Sequence, residues 1–205
     1  MLAVIDCGIS NVRSVLNALA AVGATAQVVT EPGEVDGATG FVLPGVGAFG
    51  DGMRALESRG WPAALESAVE QGLPVLGLCL GMQLLASAGS EYGEHRGLGL
   101  VPGRVERIPS APGLRIPHVG WNDVSAVRSS ALLDGLPAEP TFYFVHSFYL
   151  RPDDPADLLA TTDYGGPLAA CVERGAVYGC QFHPEKSQRD GLALLANFAR
   201  ISASC

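Results

Sequence analysis

Three side chains of this 205-residue chain have the types and surroundings that nucleophilic acyl chemistry needs. Cys79 sits in Gly77-Leu78-Cys79-Leu80-Gly81, a G-x-C-x-G pattern directly after the apolar run PVLGLC and before the helical run GMQLLASA. In a strand-to-helix turn of this kind, flanking glycines permit a strained backbone that presents one side chain at the strand's end. A cysteine there lies at a helix N-terminus, where the backbone dipole favours thiolate over thiol. The N–H of Leu80 points into the same space as an oxyanion donor. Such a nucleophile needs a base. Of the four histidines, His95 falls in the polar loop EYGEHRG, His118 follows Pro117, and His146 ends an aromatic run. His183 instead follows the apolar run VYGCQF and has Glu185 two residues on. Residues i and i+2 of an extended segment point the same way, and Pro184 favours an extended backbone between them. Glu185 is therefore expected to hold one imidazole nitrogen while the other faces Cys79. A buried structural cysteine or a surface His–Glu pair would explain either motif alone, and only their joint occurrence favours chemistry.

A second oxyanion donor is expected from LPGVGAFG, residues 43–50, where Gly45 and Gly47 flank Val46 and free the backbone to turn its N–H groups outward. The elements that must bring these pieces together are legible in outline. LAVID reads as a strand, and SNVRSVLNALAAVG as a helix with Val12, Val15, Leu16, Leu19 and Val22 on one face. Ser10 and Asn11 form its cap and Gly23 its stop. AQVVT and GFVLPG read as strands, followed by a helical stretch opening at Asp51 and running, with a break near Gly60 and Pro62, to Gln71. PVLGLC is apolar throughout, as in a strand covered on both faces. This βαββαβ order predicts an α/β fold with an open, mostly parallel, doubly wound sheet and flanking helices. The second half is β-rich: RVERI, TFYFVHSFYL, DLLATT, LAACVE and VYGCQF, closed by a helix over DGLALLANFARI with Leu192, Leu195 and Phe198 inward. No linker or repeat divides the halves, so one domain over residues 1–205 is expected. Strand C-termini of a doubly wound sheet line one crevice, where Gly45–Gly47, Cys79 and His183 can converge.

Composition removes several function classes. A net charge of −8 with no basic stripe argues against nucleic-acid binding. The first residues lack a charged leader, and no apolar run approaches the roughly 20 residues that span a bilayer, so neither a signal peptide nor a membrane anchor is expected. The five cysteines, Cys7, Cys79, Cys171, Cys180 and Cys205, form no CxxC pair. Their number and spacing suit neither a metal site nor a disulfide framework, and the reading is a reduced, cytoplasmic chain. Cys171 and Cys180 are expected to pack as small hydrophobes.

In their order and spacing, PGVGAFGDGM, GLCLGMQLL, PHVGWN, YFVHSFY and FHPEKS resemble the class I (triad-type) glutamine amidotransferases. Within that class the glutaminase subunits of imidazole glycerol phosphate synthase are the most similar. The resemblance spans almost the whole chain, and PGVGAF, PHVGWN and YFVHS are what narrow it. It implies that Cys79 attacks the amide of L-glutamine, that His183 shuttles protons and Glu185 orients it, and that no cofactor is needed. It implies an oxyanion site from Val46, Gly47 and the Leu80 N–H, with Gln83, His146, Ser147 and Phe148 binding substrate. It further implies ammonia delivery to a (β/α)8-barrel cyclase subunit, a heterodimer whose interface includes Asn11, Pro117, His118, Trp121 and Lys186. Members often carry Tyr and Gly where this chain has Cys7 and Ser10, and H-[ST]-Y where it has Phe148. Other glutaminases, such as the pyridoxal phosphate synthase type, usually have P-G-G-E-S-T at the oxyanion loop. In PfpI/DJ-1-type cysteine hydrolases a histidine commonly follows the cysteine, where this chain has Leu80.

Lys186 is the only lysine in the sequence. In an extended FHPEKS segment it points away from His183 and Glu185, toward the partner by the same resemblance, where a compact ammonium suits a tight carboxylate site. Trp121 fits a core position, and in a Pro/Gly-flanked loop it also suits an interface anchor.

Overall fold

The computed structural model describes residues 1–8 and 10–204; Cys205 lies outside them. The first half runs β1 (Leu2–Ile5), α1 (Val12–Ala21), β2 (Ala26–Val29), β3 (Gly40–Gly45), α2 (Phe49–Glu57), α3 (Trp61–Glu70), β4 (Val75–Cys79) and α4 (Leu80–Leu84). Short strands β5 (Ala88–Gly89) and β6 (His95–Arg96) lead into β7 (Gly103–Arg107), β8 (His118–Asp123), β9 (Ser125–Ala126), β10 (Thr141–His146) and β11 (Phe148–Pro152). Strands β12 (Leu158–Asp163), β13 (Pro167–Arg174) and β14 (Val177–Cys180) precede the closing helix α5 (Gln188–Ala203).

The main sheet has eight strands in the order β2-β1-β3-β4-β14-β13-β12-β9. Its β2-to-β14 portion is parallel and the remainder antiparallel. Alternation along the parallel strands sends Ala3, Ile5, Phe41, Leu43 and Val75 to one core with α2, α3 and α4. Leu2, Val4, Val42, Leu76 and Leu78 go to another core with α1 and α5. Period-two strands covered on both faces are therefore apolar at every position, which is why β1, β3 and β4 read as unbroken hydrophobic runs. Among the described residues no helix is long and apolar enough to cross a membrane.

Several elements differ from the sequence reading, each for a physical reason. Helix α2 starts at Phe49, two residues before Asp51, because the Glu91 carboxylate accepts from the Phe49 N–H at 2.8 Å and caps the helix from a distant loop. TFYFVHSFYL divides at Ser147 into β10, which pairs with β8, and β11, which pairs with β7 in a sheet of order β11-β7-β5-β6. PHVGWN forms strand β8 and not a loop. Its alternation is inverted, with His118 inward and Val119 and Trp121 out, so a hydrophobic-inside rule misses it. His95 stands half-buried in β6 with its ring against Gly50, not in a solvated loop. In α5, Leu194, Leu195 and Phe198 are fully buried, while Leu192 is only partly so.

Candidate active site

Strands β3, β4 and β14 lie side by side and parallel, and their C-terminal ends carry the three predicted pieces. Gly45 pairs with Cys79, and Cys180 pairs with Leu78. Cys79 ends β4 and caps α4 at φ 54, ψ −111, a region few non-glycine residues occupy. The glycines of the motif make this turn possible through close approach. A Cβ on Gly81 would lie 1.8 Å from the Leu43 carbonyl oxygen, and one on Gly77 would lie 2.6 Å from the Met82 nitrogen. A Cβ on Gly45 would meet the Gly81 nitrogen at 3.0 Å. The turn is thus packed backbone to backbone against β3. Val46 and Gly47 follow it, both exposed, with Gly47 at φ 103.

His183 leaves β14 in extended geometry and caps a 3₁₀ turn over Pro184–Lys186. Glu185 reaches its Nδ1 at 2.8 Å from within that turn, not along an extended segment, and both side chains are almost completely buried. The same turn removes the extended geometry from which the direction of Lys186 was read; the residue is exposed and borders the pocket that contains Cys79 and His183. The backbone of His183 is pinned to β10: its N–H donates to the Tyr143 carbonyl at 3.0 Å, and the Ser187 hydroxyl donates to its carbonyl at 2.6 Å. Burial disfavours the imidazolium, yet neighbouring Cys79 and Glu185 outweigh it and hold the His183 pKa up to about 9.

The other two buried histidines are bonded to each other. Pairing of β8 with β10 sets His118 opposite His146, and their rings join Nδ1 to Nε2 at 3.0 Å. The remaining nitrogen of His146 meets the Phe148 carbonyl at 2.8 Å, and that of His118 meets the Asn122 amide at 3.3 Å. One arrangement satisfies every contact. Asn122 donates to His118 Nε2, His118 Nδ1–H donates to His146 Nε2, and His146 Nδ1–H donates to the carbonyl. His118, expected at the partner interface, is in fact 2% exposed and stacked on Tyr164 and Phe144. Burial pushes both rings down to about 4. A folded-state pKa below the unfolded value of about 6.5 means the unfolded chain takes up protons first. The stability contributed by the pair is complete above that value and lost as pH falls toward 4. Replacing His118 by Gln keeps hydrogen-bonding groups without titrating. It should remove about half of the pair's share of the acid-side slope in urea midpoints measured between pH 7 and 4.5.

A pocket of about 410 Å³ opens over Cys79 and is lined by Val46, Gly47, Leu80, Gln83, His146, Ser147, Phe148 and His183. Every residue expected in the oxyanion and substrate group thus borders one space. Pro117 and Lys186 lie on the same rim. Asn11 is exposed and its side chain accepts from the Ser14 N–H at 3.3 Å, capping α1. Trp121 is 49% exposed on β8, edge-on to Tyr143. Two residues were not singled out from the sequence. Gln181, fully buried, accepts from the Gln83 amide at 3.0 Å and directs its own amide to the Cys79 sulfur at 3.8 Å. Gln83 also donates to the Phe148 carbonyl at 2.9 Å. The available signal was a lone polar residue inside the apolar run VYGCQF. Glu91 also borders the pocket, and nothing in its loop sequence marked it.

Residues 3–201 match the family model described as glutamine amidotransferase class-I. Two solved structures share the fold: one described as a glutamine amidotransferase (TM-score 0.77, 23% identity, 98% of each chain) and PurLQS from Thermotoga maritima (TM-score 0.79, 20% identity, 98% of this chain and 97% of that one). A doubly wound sheet with a cysteine elbow at its C-terminal edge places this chain in that class: it is a class-I glutamine amidotransferase. The imidazole glycerol phosphate synthase subunit HisH of Desulfitobacterium hafniense strain Y51 is 49% identical over 98% of this chain and 94% of its own length. That of Moorella thermoacetica is 46% identical over the same shares. The chain belongs to this HisH family, confirming the resemblance read from its motifs.

Proposed function

We propose that the chain hydrolyses L-glutamine to L-glutamate and ammonia, as the glutaminase subunit of imidazole glycerol phosphate synthase in histidine biosynthesis. The ammonia passes to a cyclase subunit of (β/α)8-barrel fold. The observation that carries the chemistry is a cysteine held on a strained turn in one pocket with a histidine braced by a buried carboxylate. The pathway rests on the close HisH relatives.

In this reading Cys79 Sγ attacks the side-chain amide carbon, and the resulting oxyanion is met by the Leu80 N–H and a donor from the Val46–Gly47 loop. His183 Nε2 gives its proton to the amide nitrogen, the C–N bond breaks, and ammonia leaves behind a glutamyl thioester. Neutral His183 then takes a proton from water, hydroxide attacks the thioester carbon, and collapse expels the Cys79 sulfur. Glu185 keeps Nε2 aimed at the reacting atoms through its bond to Nδ1. Gln181 steadies the sulfur. The Glu91 carboxylate is the acidic group on the pocket wall and suits the α-ammonium of the substrate. Catalysis through a histidine placed directly after the cysteine, as in PfpI/DJ-1-type hydrolases, has no support here, since Leu80 occupies that position.

The exposed Val46–Gly47 loop is expected to turn its donor inward only when the partner binds its nucleotide. Ammonia release should therefore be slow for the lone chain and rise on the order of 100-fold with a cyclase subunit and its nucleotide substrate. Full activity of the lone chain would remove the gating, and no release in either state would overturn the function.

A further inference from the structure

Glu185 has two oxygens, and the triad geometry uses one. Oε1 is engaged by His183 Nδ1 at 2.8 Å, while Oε2 is buried and has no hydrogen-bond partner among the described residues. An unpaired buried carboxylate oxygen is among the costliest groups a fold can hold. The Ser10 hydroxyl oxygen is also buried and without a partner among those residues. Both residues line one small cavity of about 20 Å³, beneath the oxyanion loop, with Asn11, Leu78, His183 and Lys186 among its walls. Neither atom bonds the other directly, so any link between them needs an intermediary. A single water requires roughly 10–15 Å³ of such space and two or more polar partners, and this cavity supplies both.

We propose that Ser10 is a positioning residue for Glu185, acting through one bridging water: the hydroxyl donates to the water, and the water donates to Oε2. The inference rests on the reading of Cys79, His183 and Glu185 as the catalytic machinery. Its physical content is orientation. With Oε2 anchored, the carboxylate plane is fixed and Oε1 stays in line with His183 Nδ1; without the anchor, the carboxylate can rotate and the imidazole follows. Of the other polar groups on the cavity wall, Asn11 turns its oxygen to the Ser14 N–H, Lys186 is exposed to solvent, and His183 Nε2, also buried without a partner among the described residues, is the nitrogen that the proposed mechanism turns to the reacting atoms. Ser10 is the neutral hydroxyl donor aimed inward.

The test uses the full chain with saturating cyclase subunit and its nucleotide, measuring ammonia release against glutamine concentration. Ser10→Ala and Ser10→Gly should each lower kcat about tenfold with KM unchanged, as expected for one lost hydrogen bond to a charged group. Ser10→Thr, which keeps the hydroxyl, should recover to within about twofold. In a Glu185→Gln background, Ser10→Ala should change kcat less than about twofold, because the group it acts through has lost its charge. A kcat for Ser10→Ala equal to that of the unsubstituted chain, or the same tenfold loss on top of Glu185→Gln, would overturn the bridge. Absence of ammonia release from the unsubstituted complex would instead overturn the reading of the site.

Discussion

Replacing Cys79 by glycine is expected to end ammonia release and at the same time to leave the chain more stable than replacement by alanine. Both variants remove the sulfur, and a triad lacking its nucleophile loses on the order of 10⁴-fold or more in turnover. They differ in backbone strain. At φ 54, ψ −111, Cys79 sits where a Cβ is unfavourable and glycine is at ease. Strain of this kind costs about 1–3 kcal/mol per residue. At an ordinary position glycine lowers stability by about 0.5–1 kcal/mol relative to alanine. Here the order should invert, with Cys79→Gly ahead of Cys79→Ala by about 1–2 kcal/mol in urea unfolding. An alanine variant as stable as the glycine variant would show that the elbow stores no strain. Substantial turnover in either would remove Cys79 from the mechanism.

The second large effect is expected at Gly81, two residues on. Its absent side chain leaves room for the Leu43 carbonyl of β3, and a Cβ would come within 1.8 Å of that oxygen. Leu43 belongs to a strand paired on both sides, so it cannot retreat without parting β3 from β1 or β4. Gly81→Ala should cost about 3 kcal/mol or more. In any fraction that folds, the displaced elbow should lower turnover on the order of 100-fold. Gly33 is the control. A Cβ on Gly33 would meet nothing within 4 Å, and Gly33→Ala should change both stability and ammonia release little. A mild Gly81→Ala phenotype would mean that the close packing of the turn against β3 is not what shapes it.

Much of the parallel half was legible because its signals are local. β1, β3 and β4 are apolar at every position, α1 carries its own Asn11 cap and its own stop, and the elbow motif spells out the strand–turn–helix that holds Cys79. The second half was harder to read. β8 puts a histidine inside and a tryptophan outside, and Ser147 interrupts what looks like one long strand. Such strands are recognisable only from the partners they pair with. The Glu91 cap on α2 depends on a residue 42 positions away. Lys186 shows the same limit at short range. A 3₁₀ turn and an extended segment are both compatible with His-Pro-Glu-Lys, and alternation along an extended strand says nothing of the lysine's direction once the turn forms.

What the sequence determined by itself was the candidate nucleophile and base, the order of strands that brings their C-terminal ends together, and through five motifs the family. Those features are encoded in residue type and short spacing, where steric and hydrogen-bonding rules act directly. Only the tertiary structure decided which partner each buried histidine meets. His118 and His146 are as buried as His183, but the β8–β10 register locks them to each other and to the Phe148 carbonyl, while β14 delivers His183 to the pocket of Cys79. Gln181 against the sulfur, and Ser10 and Glu185 around one cavity, are likewise contacts across about a hundred residues or more. Register and packing between distant segments set them, and no local pattern carries that information.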